Sequence, residues 1–172
     1  MSSKVSSFPG VEITPQDLKA QRYLVNKYQT DLHYGWSAGV ATARFLRGLK
    51  NKEIWGRHCD GCGRTMVPPR MYCEICYRNT DRWVKLKDTG KVVTYSVAYV
   101  NSDASRRSEP IVIAVIEVGG ASPLMGILHL LGGVRPEGVR IGMPVEAVWR
   151  PDGERTGAIT DIMYFRPRRR RA

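Results

Sequence analysis

All four cysteines of the chain lie in one stretch, HCDGCGRTMVPPRMYCEICY at 58–77. They are Cys59, Cys62, Cys73 and Cys76, two C-x2-C pairs separated by ten residues. Two residues between cysteines let one tight turn aim both thiolates at a single point. Two such turns build a tetrahedral four-sulfur cage, the closed geometry of a structural Zn²⁺ site. The spacing does not separate zinc from iron in a rubredoxin-like cage. Gly61 and Gly63 suit the first turn, where the backbone must curl toward sulfur, and Pro68-Pro69 stiffen the link to the second. His58 abuts Cys59, but four thiolates fill the shell, so it is expected beside the site rather than in it. Two disulfides would suit a secreted scaffold, yet MSSKVSSFPG at the start has no apolar signal core, and such scaffolds carry more cysteine. A redox C-x-x-C needs no second copy.

With every thiol committed to the cage, no free nucleophile remains for covalent catalysis. Hydrolytic zinc needs an open coordination position, which four thiolates close. His33 and His129 stand alone, and His129, within an apolar run, reads as a satisfied core histidine. There is no P-loop or dinucleotide fingerprint, and the one G-x-S-x-G string, GWSAG at 35–39, follows no expected strand, as a nucleophile elbow would. No catalytic residue is therefore expected in this chain. Phosphate recognition is the more natural chemistry, because arginine forks match phosphate oxygens. Arg64 and Arg70 in the ribbon, and Arg106 and Arg107 in a polar loop, are the candidates. Tyr95 or Tyr99 would stack on a base if its strand face is open.

These groups must be carried by recognisable elements. Residues 1–12 read as a flexible arm. Thr14, Pro15 and Asp17 form a capping-box start for a helix running to about Lys27 or Leu32. A second helix puts Ala38, Ala41, Phe45, Leu46 and Leu49 on one stripe, with Arg44, Arg47 and Lys50 facing away. Ile54–Arg57 leads into the cysteine stretch as a strand, and Trp83–Leu86 leads out of it. Asp88–Lys91 reads as a turn, and everything after it as strands. Val93, Tyr95, Val97 and Tyr99 alternate with smaller or more polar residues. Asn101–Glu109 is a polar loop. Ile111–Val118 is apolar on both faces and hence central. Leu124–Leu131, a strand holding Val145, Ala147 and Trp149, and Gly157–Phe165 complete the set. One short helical turn could fall near Gly132–Glu137. Five short strands with glycine and proline turns suit a five-stranded OB barrel, with a small sandwich as the alternative. The organisation is then an arm at 1–12, a helical segment at 13–50, a zinc ribbon at 51–84, a barrel at 85–165 and a basic tail at 166–172.

A chain of 172 residues with 42% apolar content can bury one core plus a small metal-held module. No apolar run reaches the length of a membrane span, and the thiols call for a reducing cytoplasm. The net charge is +11; removing the five arginines at 166 and 168–171 leaves +6. That balance attracts polyanions, although a like-charge block is most often a solvated end. The resulting rival to a scaffold role is a module binding single-stranded nucleic acid, as zinc ribbons and OB folds both do. The alternating strand aromatics, which read as core, and the concentration of charge in the tail argue against it.

Several segments resemble the DUF35 family of acyl-CoA-associated zinc-ribbon/OB-fold proteins. They are FLRGLK at 45–50, IWGRHCDGCG at 54–63, VPPRMYCEIC at 67–76, DTGKVVTYS at 88–96 and IGMPVEAVW at 141–149. The resemblance spans roughly 37–166. It implies a rubredoxin-like zinc ribbon followed by an OB barrel, with N-terminal helices. It also implies an accessory subunit of a thiolase-superfamily enzyme: a thiolase, acyltransferase, HMG-CoA synthase or thiolase-like aldolase. In that arrangement the partner supplies the catalytic groups. This chain would hold zinc structurally, assemble the complex, and help bind a coenzyme A thioester.

Overall fold

The computed structural model describes residues 14–22, 31, 33–103 and 105–168. It divides into two compact units, Met1–Trp36 and Ser37–Ala172. The first holds helix α1 (Pro15–Lys19). Its start is the expected capping box: Thr14 Oγ1 accepts from the Asp17 N–H (3.2 Å), and Asp17 Oδ2 accepts from the Thr14 N–H (3.1 Å). The helix does not run to Lys27 or Leu32. It ends at Lys19, and Gln21 turns into the left-handed region (φ 53°). None of its side chains is buried, so no apolar face extends it beyond the cap. Residues 23–30 and the arm at 1–12 lie outside the described residues.

The second unit opens with α2 (Gly39–Lys50), which buries Phe45, Gly48 and Leu49. The glycine is needed for contact: a Cβ at position 48 would sit 2.5 Å from Trp55 Cδ1 and 2.9 Å from the Glu53 carbonyl. Arg44 does not simply face solvent. Its guanidinium lies 4.6 Å from both the Trp55 and Trp83 ring centroids, and Arg57 covers Trp83 at 4.8 Å. The helix is thus clamped to the sheet below it by cation–π contacts as well as by its apolar stripe.

That sheet is the ribbon's: β1 (Ile54–Cys59) lies between β2 (Arg64–Met66) and β5 (Arg82–Leu86), all antiparallel. A second small hairpin pairs β3 (Tyr72–Cys73) with β4 (Arg78–Asn79). Buried Arg57 joins the two. Its Nε donates to Thr80 Oγ1 (2.8 Å) and its Nη2 to the Thr80 carbonyl, while Thr80 Oγ1 donates to the Arg70 carbonyl (2.8 Å).

The barrel consists of β6 (Thr89–Val100), β7 (Arg106–Val118), β8 (Gly126–Leu131), β9 (Pro144–Trp149) and β10 (Ile162–Pro167). The circuit runs β6-β7-β8-β10-β9 and closes on β6, with β8 and β10 parallel and the other pairs antiparallel. This is OB topology. Short 3₁₀ turns occupy Pro136–Gly138, close to the expected spot, and Ile159–Asp161. Val112, Ala114, Ile116 and Val118 point inward from β7 to meet Ile127, Leu131, Val145, Ile162 and Phe165. Ribbon and barrel are stitched together by Ser122, whose N–H donates to the Thr65 carbonyl (2.9 Å) and whose Oγ accepts from the Thr65 N–H (2.9 Å).

Three strand expectations are corrected. The turn expected at Asp88–Lys91 is strand from Thr89 onward, because Thr89, Gly90 and Lys91 pair with β7 and β9. The polar loop is shorter than Asn101–Glu109, because β7 begins at Arg106, paired with Val100. Tyr95 and Tyr99 are not core residues; they are 37% and 57% exposed. Register shifts between Val92 and Thr94 and between Ala98 and Val100 interrupt the alternation, so Val92 is the buried residue before the first and Val97, opposite Val112, packs on the core after it. A bulge of this kind reverses the faces of everything beyond it.

Candidate metal centre

The two cysteine turns are near copies. In the first, the Gly63 N–H reaches back to the Cys59 carbonyl (2.8 Å); in the second, the Tyr77 N–H reaches the Cys73 carbonyl (2.9 Å). Both closing residues are left-handed, Gly63 at φ 70° and Tyr77 at φ 52°. In the second turn the Ile75 and Cys76 N–H groups point at the Cys73 sulfur, and after the first the Arg64 N–H points at that of Cys62. The four Sγ atoms lie within 4.8 Å of one another, and Cys62 and Cys73 are 3.6 Å apart. A tetrahedron with metal–sulfur bonds of about 2.3 Å has edges of about 3.8 Å, so the cluster fits a four-thiolate metal ion. Cys59 and Cys73 are fully buried. At Gly61 a Cβ would come 3.2 Å from the Cys76 sulfur, so the first turn passes against the second pair.

The electrostatics agree. The Cys76 and Ile75 N–H groups pull the Cys73 thiol down to about 7. The neighbouring Cys62 sulfur, with burial, pushes the Cys76 thiol up to about 12. Four sulfurs this close resist sharing more than one negative charge, and a bound cation removes that conflict. His58 lies beside the cluster, with Nδ1 at 2.8 Å from Thr65 Oγ1 and Nε2 at 3.4 Å from Asp60 Oδ1. Below the sulfurs, Met125 of the barrel packs against them, and its thioether lies 3.9 Å from Arg64 Nη2.

The other expected site residues fall into two groups. Arg64 and Arg70 share Glu74, at 2.9 and 3.6 Å. Arg107 donates to Asn101 Oδ1 (2.6 Å) on the β6–β7 hairpin, which also carries Arg106 and Tyr99. Among the described residues no hydrogen bond or ion pair joins the groups. Tyr95 sits opposite Ala114 further along β6. His129 is satisfied, with Nε2 3.2 Å from the Ile159 carbonyl, Nδ1 accepting from the Leu130 N–H (2.9 Å), and its ring edge-on to Phe165.

The buried carboxylate of Asp161 was missed from the sequence. It accepts from the Thr156, Gly157 and Ala158 N–H groups (3.0, 2.7 and 3.2 Å). Burial alone pushes its carboxyl up, but these donors outweigh it and hold the group below the ordinary carboxylate range. The readable signal was an aspartate three residues after a T-G-A turn.

Fold and site together define a zinc-ribbon/OB-fold protein. Residues 47–81 match the sequence model of the ChsH2 rubredoxin-like zinc ribbon domain, and residues 83–150 match that of the ChsH2 C-terminal OB-fold domain. A DUF35 domain-containing scaffold protein of Methanocaldococcus jannaschii is 39% identical over 129 residues, covering 72% of this chain and 89% of that one. Its namesake from Methanothermobacter thermautotrophicus is 30% identical, over 74% and 96% of the two chains. The chain belongs to the DUF35 family. A crystal structure of a DUF35 protein from Sulfolobus solfataricus superposes with a TM-score of 0.53 at 28% identity, over 64% of this chain and 77% of that one. A chain of the Ltp2–ChsH2(DUF35) aldolase gives 0.53 at 24% identity, over 74% and 94%, a likeness of fold alone. Among the described residues no helix is long and apolar enough to cross a membrane.

Proposed function

We propose that this chain is a non-catalytic, zinc-holding scaffold subunit of a thiolase-superfamily complex. The partner enzyme is a thiolase, acyltransferase, HMG-CoA synthase or thiolase-like aldolase. Cys59, Cys62, Cys73 and Cys76 hold the zinc, which fixes the ribbon and takes no part in turnover. The chain helps seat the acyl-CoA, and Arg64, Arg70, Arg106, Arg107, Tyr95 and Tyr99 are available for the coenzyme A portion. The names of the curated relatives, scaffold proteins, support this reading, as does the pairing of ChsH2 with Ltp2 in an aldolase.

The observation that carries it is the outer face of β7 and β8. The outward side of an antiparallel barrel is normally polar. Here Leu128 and Leu130 are 66% and 43% exposed. They stand opposite Val115 and Ile113, the half-buried outward residues of β7. A contiguous aliphatic strip of this kind marks a protein-binding surface. The test is co-purification of the tagged chain with any thiolase-type enzyme that its neighbouring genes encode. A stoichiometric complex is expected, with weak enzyme activity in its absence. Leu128→Glu/Leu130→Glu should disrupt the complex while metal content stays unchanged. A chain that remains monomeric and leaves every neighbouring thiolase unaffected would overturn the proposal.

A further inference from the structure

Two clefts lie along the seam where the turn after α2 meets the barrel, and they share Lys52 as a common wall. One, of about 490 Å³, is bounded by the β5–β6 junction and Arg168. The other, of about 350 Å³, is bounded by the end of β9, the β9–β10 loop and Arg166. Each falls in the size range of small-ligand sites, roughly 300–1,000 Å³.

Their lining is strongly positive, and much of that charge is unspent. Lys85 pairs with Glu53, Arg155 with Asp152, and Arg166 with Glu146. Lys52, Lys87, Arg150 and Arg168 have no ion-pair partner among the described residues. Asp88, the remaining carboxylate of the lining, accepts from Trp149 Nε1 (3.4 Å). Four cations against one carboxylate leave a net charge of about +3 around Lys52. Arg150 is held in place, its Nε on the Thr160 carbonyl (2.9 Å). Arg155, behind it, donates to the Lys50 and Arg150 carbonyls (2.7 and 2.8 Å) and so ties α2 to the loop. Trp149 and Pro151 give the smaller cleft an apolar wall beside these charges. The sequence continues from Arg168 into three further arginines.

A pair of adjacent phosphates next to a flat aromatic group answers this arrangement. Guanidinium and ammonium groups converge on the anion, and an indole wall takes the base. We propose that the seam is a binding site for a nucleoside-diphosphate-type ligand, its phosphates among Lys52, Lys87 and Arg168 and its base against Trp149. The site uses none of the arginines offered above for coenzyme A. It deepens the acyl-CoA reading by naming a second location for an ADP-like group, but it does not require the partner enzyme.

The test is titration of the full chain with ADP, inorganic pyrophosphate and a short single-stranded oligonucleotide, followed by tryptophan fluorescence and calorimetry. ADP should bind saturably at one site and pyrophosphate at the same site more weakly. Lys52→Glu and Lys87→Glu, made separately so that one misfolded variant does not decide the matter, should each weaken ADP at least tenfold with the cysteine cluster still metal-loaded. Arg135→Glu, at an exposed arginine that lines neither cleft, should leave ADP binding unchanged. Absence of saturable ADP binding, an equal loss in the Arg135 variant, or preference for the oligonucleotide would each overturn the assignment. Failure here leaves co-purification with a thiolase-type partner standing. Failure of co-purification leaves ADP binding standing.

Discussion

The ribbon and the barrel solve the same problem by different physics. The main core gathers seventeen buried apolar residues from α2, β1, β5, the barrel strands and the loops beside them, whereas the sulfur region gathers three, and two of those are cysteines. The barrel side can hold itself by hydrophobic burial. The knuckles cannot, since their strands are two or three residues long and their turns must aim polar groups inward. Metal–thiolate bonds replace the missing core there. The cysteine turns meet the barrel through the Thr65–Ser122 hydrogen bonds and the Met125 side chain, whereas the other end of the ribbon sheet sends Ile54 and Leu86 into the main core.

The sharpest way to break this contrast is to remove the metal. Apparent binding energies of structural zinc sites are about 10–16 kcal/mol, so chelation or Cys59→Ser should melt the ribbon outright. Hydrogen exchange should show residues 59–79 losing protection while β6–β10 keep theirs. Simultaneous loss in both regions would mean that the barrel also depends on the metal.

Phe165→Ala attacks the other side. The ring is fully buried among barrel residues, and truncation should cost about 3–5 kcal/mol. Urea unfolding should register it, with metal stoichiometry unchanged in the fraction that remains folded.

Asp161 supplies a pH-dependent term on the barrel side alone. Its carboxyl lies below the ordinary value in the folded chain. Its contribution is therefore complete above the unfolded value, 3.8, and is lost as pH falls through the lower folded value. Asp161→Ala leaves three N–H groups without their acceptor and should cost about 1–3 kcal/mol at neutral pH. The gap from wild type should shrink in strong acid, which thermal melts at two pH values would detect.

The smallest effects compare the two knuckles with each other. Gly63 adopts its left-handed turn freely, and Tyr77 does so against its Cβ. Gly63→Ala should destabilise by about 1 kcal/mol although the space around it is open. Tyr77→Gly should cost less or even stabilise, because relief of the turn offsets the entropy of glycine. Equal losses from both changes would show that the ring of Tyr77, 79% exposed, contributes contacts of its own.

The spacing of four cysteines, the 3.6-residue stripe of α2 and the β-periodic run from Val93 onward were legible in the chain because they are local. Each depends only on neighbours a few residues apart, and together they set the ribbon-then-barrel order. What neighbours alone cannot encode was decided by tertiary structure. The bulge after Val92 changed which residues of β6 face the core, because register is set by the partner strand. Arg44 was drawn between two tryptophans from different strands. Asp161 became a buried anion only where the T-G-A turn folded its amides back. Lys52, Lys87 and Arg168, ordinary surface charges in sequence and far apart along it, met at one seam because barrel closure brings the chain's last strand beside the turn after α2. Long-range convergence of this kind follows from packing a closed sheet, not from any pattern within reach of a single window of residues.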